Sequence, residues 1–97
     1  MDDWPFENTP NTAVITTRQV LDGASILHVT HDAEDGSWQF HAGGPVTEAD
    51  AKIVGLGWIC SKDPTLLELA DLPEGWQANR DRVGAPWRRE EQPEEQP

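Results

Sequence analysis

The sequence has few of the residues that cross-links and membrane segments require. Cys60 is the only cysteine, so an internal disulfide is excluded, which suits a reducing compartment. There is no apolar run long enough for a membrane helix, and no basic start followed by an apolar segment that would make a signal peptide. We therefore expect a cytoplasmic protein.

Basic residues are also scarce, because 7 Lys and Arg stand against 18 Asp and Glu, giving a net charge of −11. Residues 1–10 hold three acids and no base, and residues 90–97 hold four acids and no base. The 11 acids and 7 bases between them leave a net charge of −4, so seven of the eleven net charges lie in the two end segments. Affinity for nucleic acid or an anionic membrane rests on Lys and Arg, so neither partner is expected. The charge permits a basic protein partner, although solubility alone is the preferred explanation.

The length of 97 residues predicts one folded domain. We expect a flexible acidic arm over 1–11, a single domain over 12–89, and a disordered acidic tail over 90–97, where EEQPEEQP repeats a four-residue unit. Trp4 and Phe6 are unusual in such an arm. They either dock on the core or form a hydrophobic hook for a partner, and we favour docking because large apolar side chains are usually covered.

The rest of the chain is arranged around a β-hairpin over 26–44, ILHVTHDAEDGSWQFHAGG. Asp35-Gly36 supplies the turn, because these residues tolerate positive φ. The apolar alternation favours a register in which opposed residue numbers add to 69. Leu27 and Val29 then face the core with Trp38 and Phe40, while His28 and His41 oppose each other on the second face.

Shorter elements complete the predicted fold. Residues 13–17 suit a strand, and residues 47–60 suggest a helical turn, a strand at 52–56 and a short helix, although two glycines leave helix and strand both open there. Asp63 and Pro64 begin another helical turn, and 76–80 is extended. The class is α+β: a small antiparallel or mixed sheet with a central hairpin and short helices on one side.

The opposed pair His28 and His41 is the main candidate ligand site. Directly opposed side chains have Cβ atoms about 5 Å apart, close enough to share an ion or small ligand beside Trp38. His31 points to the other face of the strand and cannot join His28. No third ligand is evident, and metal sites usually need three or four, so no metal or cofactor is expected and the pair remains an alternative.

Two further groups are candidates for a catalytic or a binding role. Cys60, between Ile and Ser, reads as a small buried hydrophobe rather than a nucleophile, so no catalytic residue and no enzyme activity are expected. A basic cluster of Arg80, Arg82, Arg88 and Arg89 lies between acidic segments. It could pair with the acidic tail or bind an acidic group of a partner, and we take Arg80 and Arg88 as its binding residues.

Several short motifs together resemble a known family. They are Val20-Leu21-x-Gly23, Gly36-Ser37-Trp38-Gln39-Phe40, Ile53-Val54-Gly55-Leu56, Asp63-Pro64 and Leu72-Pro73-x-Gly75. Over about residues 13–80 they resemble an uncharacterised bacterial domain family, similar to the group numbered thirty-three among predicted immunity proteins of polymorphic toxin systems. The segment 84–88 departs from that pattern. The resemblance implies an α+β fold and, for some members, neutralisation of a toxin by binding it, with no catalytic residues.

These observations lead to two ranked hypotheses. The first is a non-enzymatic protein-binding, immunity-like module, because the chain is acidic and lacks a catalytic motif. The alternative is a protein that binds a metal or small ligand on the face of His28 and His41. The sequence does not fix the oligomeric state.

Overall fold

A six-stranded mixed sheet with short helices forms the protein, and the computed structural model describes residues 4–93. The strands are β1 (Ala13–Thr17), β2 (His28–His31), β3 (Trp38–His41), β4 (Ala51–Gly55), β5 (Trp76–Asn79) and β6 (Arg88–Glu91). The helices are α1 (Arg18–Leu21), α2 (Leu56–Lys62) and two 3-10 helices, Glu48–Asp50 and Pro64–Leu69. Strand order is β4-β1-β3-β2-β5-β6, with β1 and β3 parallel and the other pairs antiparallel. The expected α+β class is confirmed.

The hairpin of β2 and β3 has the predicted register, with His28 opposite His41 and Val29 opposite Phe40. Gly36 supplies the positive φ of the turn, at +73°. The prediction for Leu27 is wrong: Ile26 is buried and Leu27 only half-buried. The Leu27 amide donates to the carbonyl of His41, whose strand partner is already His28, so an extra residue is accommodated there as in a β-bulge.

The hydrophobic core lies between one face of the sheet and the helices. Because side chains alternate along a strand, each inner strand sends every second residue into it. The sheet contributes Val14, Val29, Trp38, Phe40 and Ala78, and the helices contribute Val20, Leu56, Ile59, Cys60, Leu66 and Leu69.

The order expected for the ambiguous stretch 47–60 is confirmed: a 3-10 turn, then β4, then α2. Gly57 sits in α2 because the amino-terminal arm passes directly over it. A Cβ atom there would come within 2.9 Å of the Pro10 Cβ, and the Gly57 amide donates to the Pro10 carbonyl at 2.7 Å. Docking of the arm therefore explains a glycine that helix propensity alone disfavours.

The amino-terminal arm folds back onto the core, as we favoured. Phe6 is buried and Trp4 is half-buried. Phe6 packs edge-on against Trp38 with ring centroids 5.2 Å apart, and the Trp38 Nε1–H donates to the Asn8 side-chain oxygen. From residue 4 onward the arm is part of the packed structure, whereas residues 1–3 lie outside the described residues.

At the other end, the boundary expected at 89/90 falls inside β6. Glu90 pairs with Gln77 and Glu91 with Trp76 in the β5–β6 ladder. The sequence RREE has no apolar alternation because β6 is an edge strand with all four residues exposed. The remainder of the predicted tail, residues 94–97, lies outside the described residues.

Candidate functional site

The second face of the sheet carries mostly polar side chains in two rows, which together we call the open face. Strand pairing aligns His41, His28, Asn79 and Arg88 in one row. The other row is Ile53, Ile15, Gln39, Thr30, Gln77 and Glu90. All ten residues are half-buried or exposed, so the described part of the chain leaves this face accessible.

His28 and His41 meet on the open face with ring centroids 6.0 Å apart and ring planes inclined by 47°. Both line a cleft of about 810 Å³ that also includes Asn79, Arg88 and Glu90. The structure thus brings the predicted pair together in a concave, solvent-open site.

Side-chain amides fix the orientation of both imidazoles. The Gln39 Nε2 donates to an Asp32 carboxylate oxygen at 2.7 Å, which leaves its Oε1 to accept from His41 Nε2 at 3.0 Å. The Asn79 Oδ1 accepts from His28 Nδ1 at 2.5 Å. In this arrangement the free lone pairs are those of His41 Nδ1 and His28 Nε2.

Trp38, which we expected to contribute to ligand binding, does not lie on the open face. Its side chain is 2% exposed and is covered by the His31 ring, which stacks on it at 3.8 Å. His31 also bonds the Leu72 carbonyl through Nδ1. Trp38 and His31 therefore belong to the core side, and the prediction that His28 and His31 point apart is confirmed.

Arg80 is buried and is already bound within the protein, in contrast to its expected exposure in a basic cluster. The residue is 3% exposed. Its guanidinium donates to an Asp63 carboxylate oxygen at 2.6 Å, to Thr65 Oγ1 at 2.8 Å and twice to the Ile26 carbonyl. It also lies 4.1 Å from the centre of the Trp87 ring. Through these hydrogen bonds, Arg80 links the end of β5 to the Ile26 segment and to the second 3-10 helix.

Two exposed arginines of the basic cluster, Arg88 and Arg89, pair with aspartates of the folded body. Arg88 contacts Asp81 at 3.3 Å, and Arg89 contacts Asp71 at 2.7 Å. The Arg89 guanidinium also holds the pKa of Asp71 below its usual value by hydrogen bonding and charge. Exposed pairs are worth under about 1 kcal/mol, so Arg88 remains able to exchange Asp81 for another acidic group at the rim of the cleft.

Cys60 is buried in the core, and burial, followed by the nearby Asp63 charge, raises the pKa of its thiol to about 11. A nucleophilic cysteine needs its thiolate form near neutral pH. The environment of Cys60 therefore favours the structural role that the sequence indicated.

The residues that sequence reasoning missed are the ones that complete the open face. Gln39 and Asn79 orient the imidazoles, and Ile53 is the most exposed large apolar residue among those described, at 67%. Alternation within β3 could have placed Gln39 beside His41. Nothing local could have placed Asn79 there, since β5 is about fifty residues from β2 in sequence.

No family model, curated protein or solved structure matches the chain. Among residues 4–93, no helix has the length and apolar character that crossing a membrane requires. Within the same residues, no group of three or more His, Cys, Asp or Glu side chains is placed to hold a metal ion. The open face is therefore the feature of the described structure that bears most directly on function.

His41 should make stability depend on pH. Burial, followed by the charge of His28, lowers the pKa of His41 below its usual value of 6.5. In the unfolded chain, the His41 imidazole takes up a proton more readily than it does in the folded protein. The contribution of His41 to stability is therefore complete above about pH 6.5 and is lost as pH falls through the lowered pKa. We expect His41→Gln to weaken the pH dependence of the urea-unfolding midpoint between pH 7.5 and 5. If the urea-unfolding midpoint of the variant changed with pH as steeply as that of wild type, the fold would not be holding the His41 ring neutral.

Proposed function

We propose that the protein is a non-enzymatic protein-binding module, of the immunity type that its sequence resembles, and that it binds a basic partner protein through the open face. The observation that carries this proposal is Ile53, an isoleucine 67% exposed at the end of a row that spans the whole sheet. Ile53 lies beside Ile15 on a face whose other eight residues are polar. Apolar side chains grouped within a polar rim are typical of a contact site.

Charge on the same face favours a basic partner. Glu90 closes the row that begins at Ile53. A second cleft of about 710 Å³ on this face is lined by Thr30, Asp32, Glu34 and Gln77. An apolar anchor at one end and carboxylates at the other fit a partner with an apolar contact surrounded by Lys or Arg. The net charge of −11 would speed encounter with such a partner.

The test compares two baits that differ in where one lysine is placed. Ile53→Lys puts a positive charge on the open face, whereas the matched control Val83→Lys makes the same charge change at a site 49% exposed outside the sheet. We expect wild type and V83K to retain one stoichiometric basic protein from host lysate. I53K should bind the purified partner at least about tenfold more weakly, which is about 1.4 kcal/mol.

Three outcomes would overturn the proposal. The captured protein could bind all three baits equally, which would place its contact elsewhere. It could be acidic, which would contradict the charge argument. Wild type could also elute without a partner, and if it elutes as a self-associated species that I53K dissociates, the face is an interface between copies of the chain.

A further inference from the structure

The separation of the two imidazoles on the open face is compatible with both rings binding one ion. Metal–nitrogen bonds of about 2.0–2.1 Å place the centres of two rings on one ion about 5 to 6 Å apart at tetrahedral or wider angles. The observed centroid separation is 6.0 Å. The rings also line the same solvent-open cleft, so an ion could enter without unfolding of the sheet.

Each imidazole has the outer hydrogen bond that metal-binding histidines commonly make. In such sites the ring nitrogen that does not bind metal donates to a carboxylate or carbonyl oxygen, which fixes the tautomer. His41 donates to the Gln39 Oε1, which is itself oriented by Asp32. His28 donates to the Asn79 Oδ1. His41 Nδ1 and His28 Nε2 are therefore left with their lone pairs available.

We propose that His28 and His41 form a two-imidazole binding site for a divalent late transition-metal ion, with His28 Nε2 and His41 Nδ1 as its ligands. Imidazole ligands suit zinc, copper and nickel rather than magnesium or calcium. Two protein ligands leave the remaining coordination positions to water. The site is thus exchangeable and open, unlike the closed four-ligand sites that hold structural zinc.

The site does not rest on the proposed partner-binding function. Its two ligands and Asn79 lie in one row, and Gln39 of the other row orients His41, whereas the partner contact is anchored at Ile53, at the far end of that other row. The two proposals can therefore fail separately, since the metal test is made on the isolated protein.

The chain has only three histidines, which provides an internal control. We would titrate full-length untagged protein with ZnCl₂ and follow the imidazole nitrogens by ¹⁵N–¹H NMR. His28 Nε2 and His41 Nδ1 should shift in proportion to bound zinc, while His31, on the opposite side of the sheet, should not. A diamagnetic ion is chosen so that all three rings remain visible.

Calorimetry with ZnCl₂ gives the corresponding affinity measurement. His28→Gln and His41→Gln should each weaken zinc binding at least tenfold, and Gln39→Met, which removes only an orienting group, should weaken it about tenfold. Ile53→Lys, on the other row, should leave zinc affinity within about twofold. The double variant H28Q/H41Q is the control for zinc binding by the acidic residues, and it should show no stoichiometric binding.

The alternative results are clear. Zinc heat that persists in H28Q/H41Q would place binding on carboxylates and overturn the proposal. Equal shifts at all three histidines, or larger shifts at His28 Nδ1 and His41 Nε2 than at the proposed ligand nitrogens, would also overturn it. If the double variant failed to fold, as judged by circular dichroism, the wild-type NMR titration would decide the question alone.

Discussion

Replacing Arg80 by methionine should destabilise the protein by about 3–5 kcal/mol, because it leaves the largely covered Asp63 carboxylate without its charge partner. The Arg80 side chain is 1% exposed and that of Asp63 is 12% exposed, so water cannot take over the lost interactions. The Ile26 carbonyl loses two donors at the same time. A domain of this size has a stability of about 5–15 kcal/mol, so the loss is a large share of the total.

Arg88→Met is the matched control for Arg80→Met. It removes the same charge from an ion pair whose side chains are 62% and 72% exposed, and it should cost less than about 1 kcal/mol. Urea unfolding followed by circular dichroism measures both. Equal effects of R80M and R88M would show that the Arg80 network is solvated.

A double variant separates the unpaired charge from the lost packing. Asp63→Asn removes the negative charge while keeping a side-chain oxygen that can accept from the Thr65 amide, as Asp63 does at 3.1 Å. We expect R80M/D63N to be more stable than the sum of the single changes indicates, with a coupling of about 1–3 kcal/mol. Strict additivity would contradict the charge explanation.

The burial of Arg80 illustrates what could not be predicted from the sequence. Four arginines between two acidic segments look alike in composition, yet Arg80 follows β5 directly and is carried beneath the Ile26 segment by the β2–β5 ladder. That pairing joins residues about fifty positions apart. The hairpin register was accessible because its apolar alternation and its Asp-Gly turn are local, and a slip of one residue would have exposed Val29 and Phe40.

The candidate site also has features that local sequence predicts and features that depend on distant strands. The opposition of His28 and His41 follows from the hairpin register alone. One of the polar neighbours that orient the rings, Asn79, is supplied by β5. The whole face is accessible because the helices described pack on the core side of the sheet. Trp38 could have been excluded earlier, because the register that pairs His28 with His41 already turns Trp38 toward the core.

Phe6 provides the strongest test that the amino-terminal arm is part of the folded domain. The residue is 5% exposed and lies between the rings of Trp4 and Trp38, with centroids 5.4 and 5.2 Å away. Phe-to-Ala changes in cores cost about 3–5 kcal/mol. We expect Phe6→Ala to lower the free energy of unfolding by about 3 kcal/mol, toward the lower end because a chain end can detach and limit the loss.

Hydrogen exchange distinguishes a detached arm from a weakened core. The Gly57 amide is protected by the Pro10 carbonyl, so undocking of the arm should expose it while the β2–β3 amides change only as far as global stability does. Glu7→Ala, at an exposed neighbouring position, should change stability by no more than about 0.5 kcal/mol. A Phe6→Ala cost below about 1 kcal/mol, with the Gly57 amide no longer protected, would mean that the domain keeps its stability without the docked arm. The aromatic pair would then be free to serve as the partner hook that the sequence also allowed.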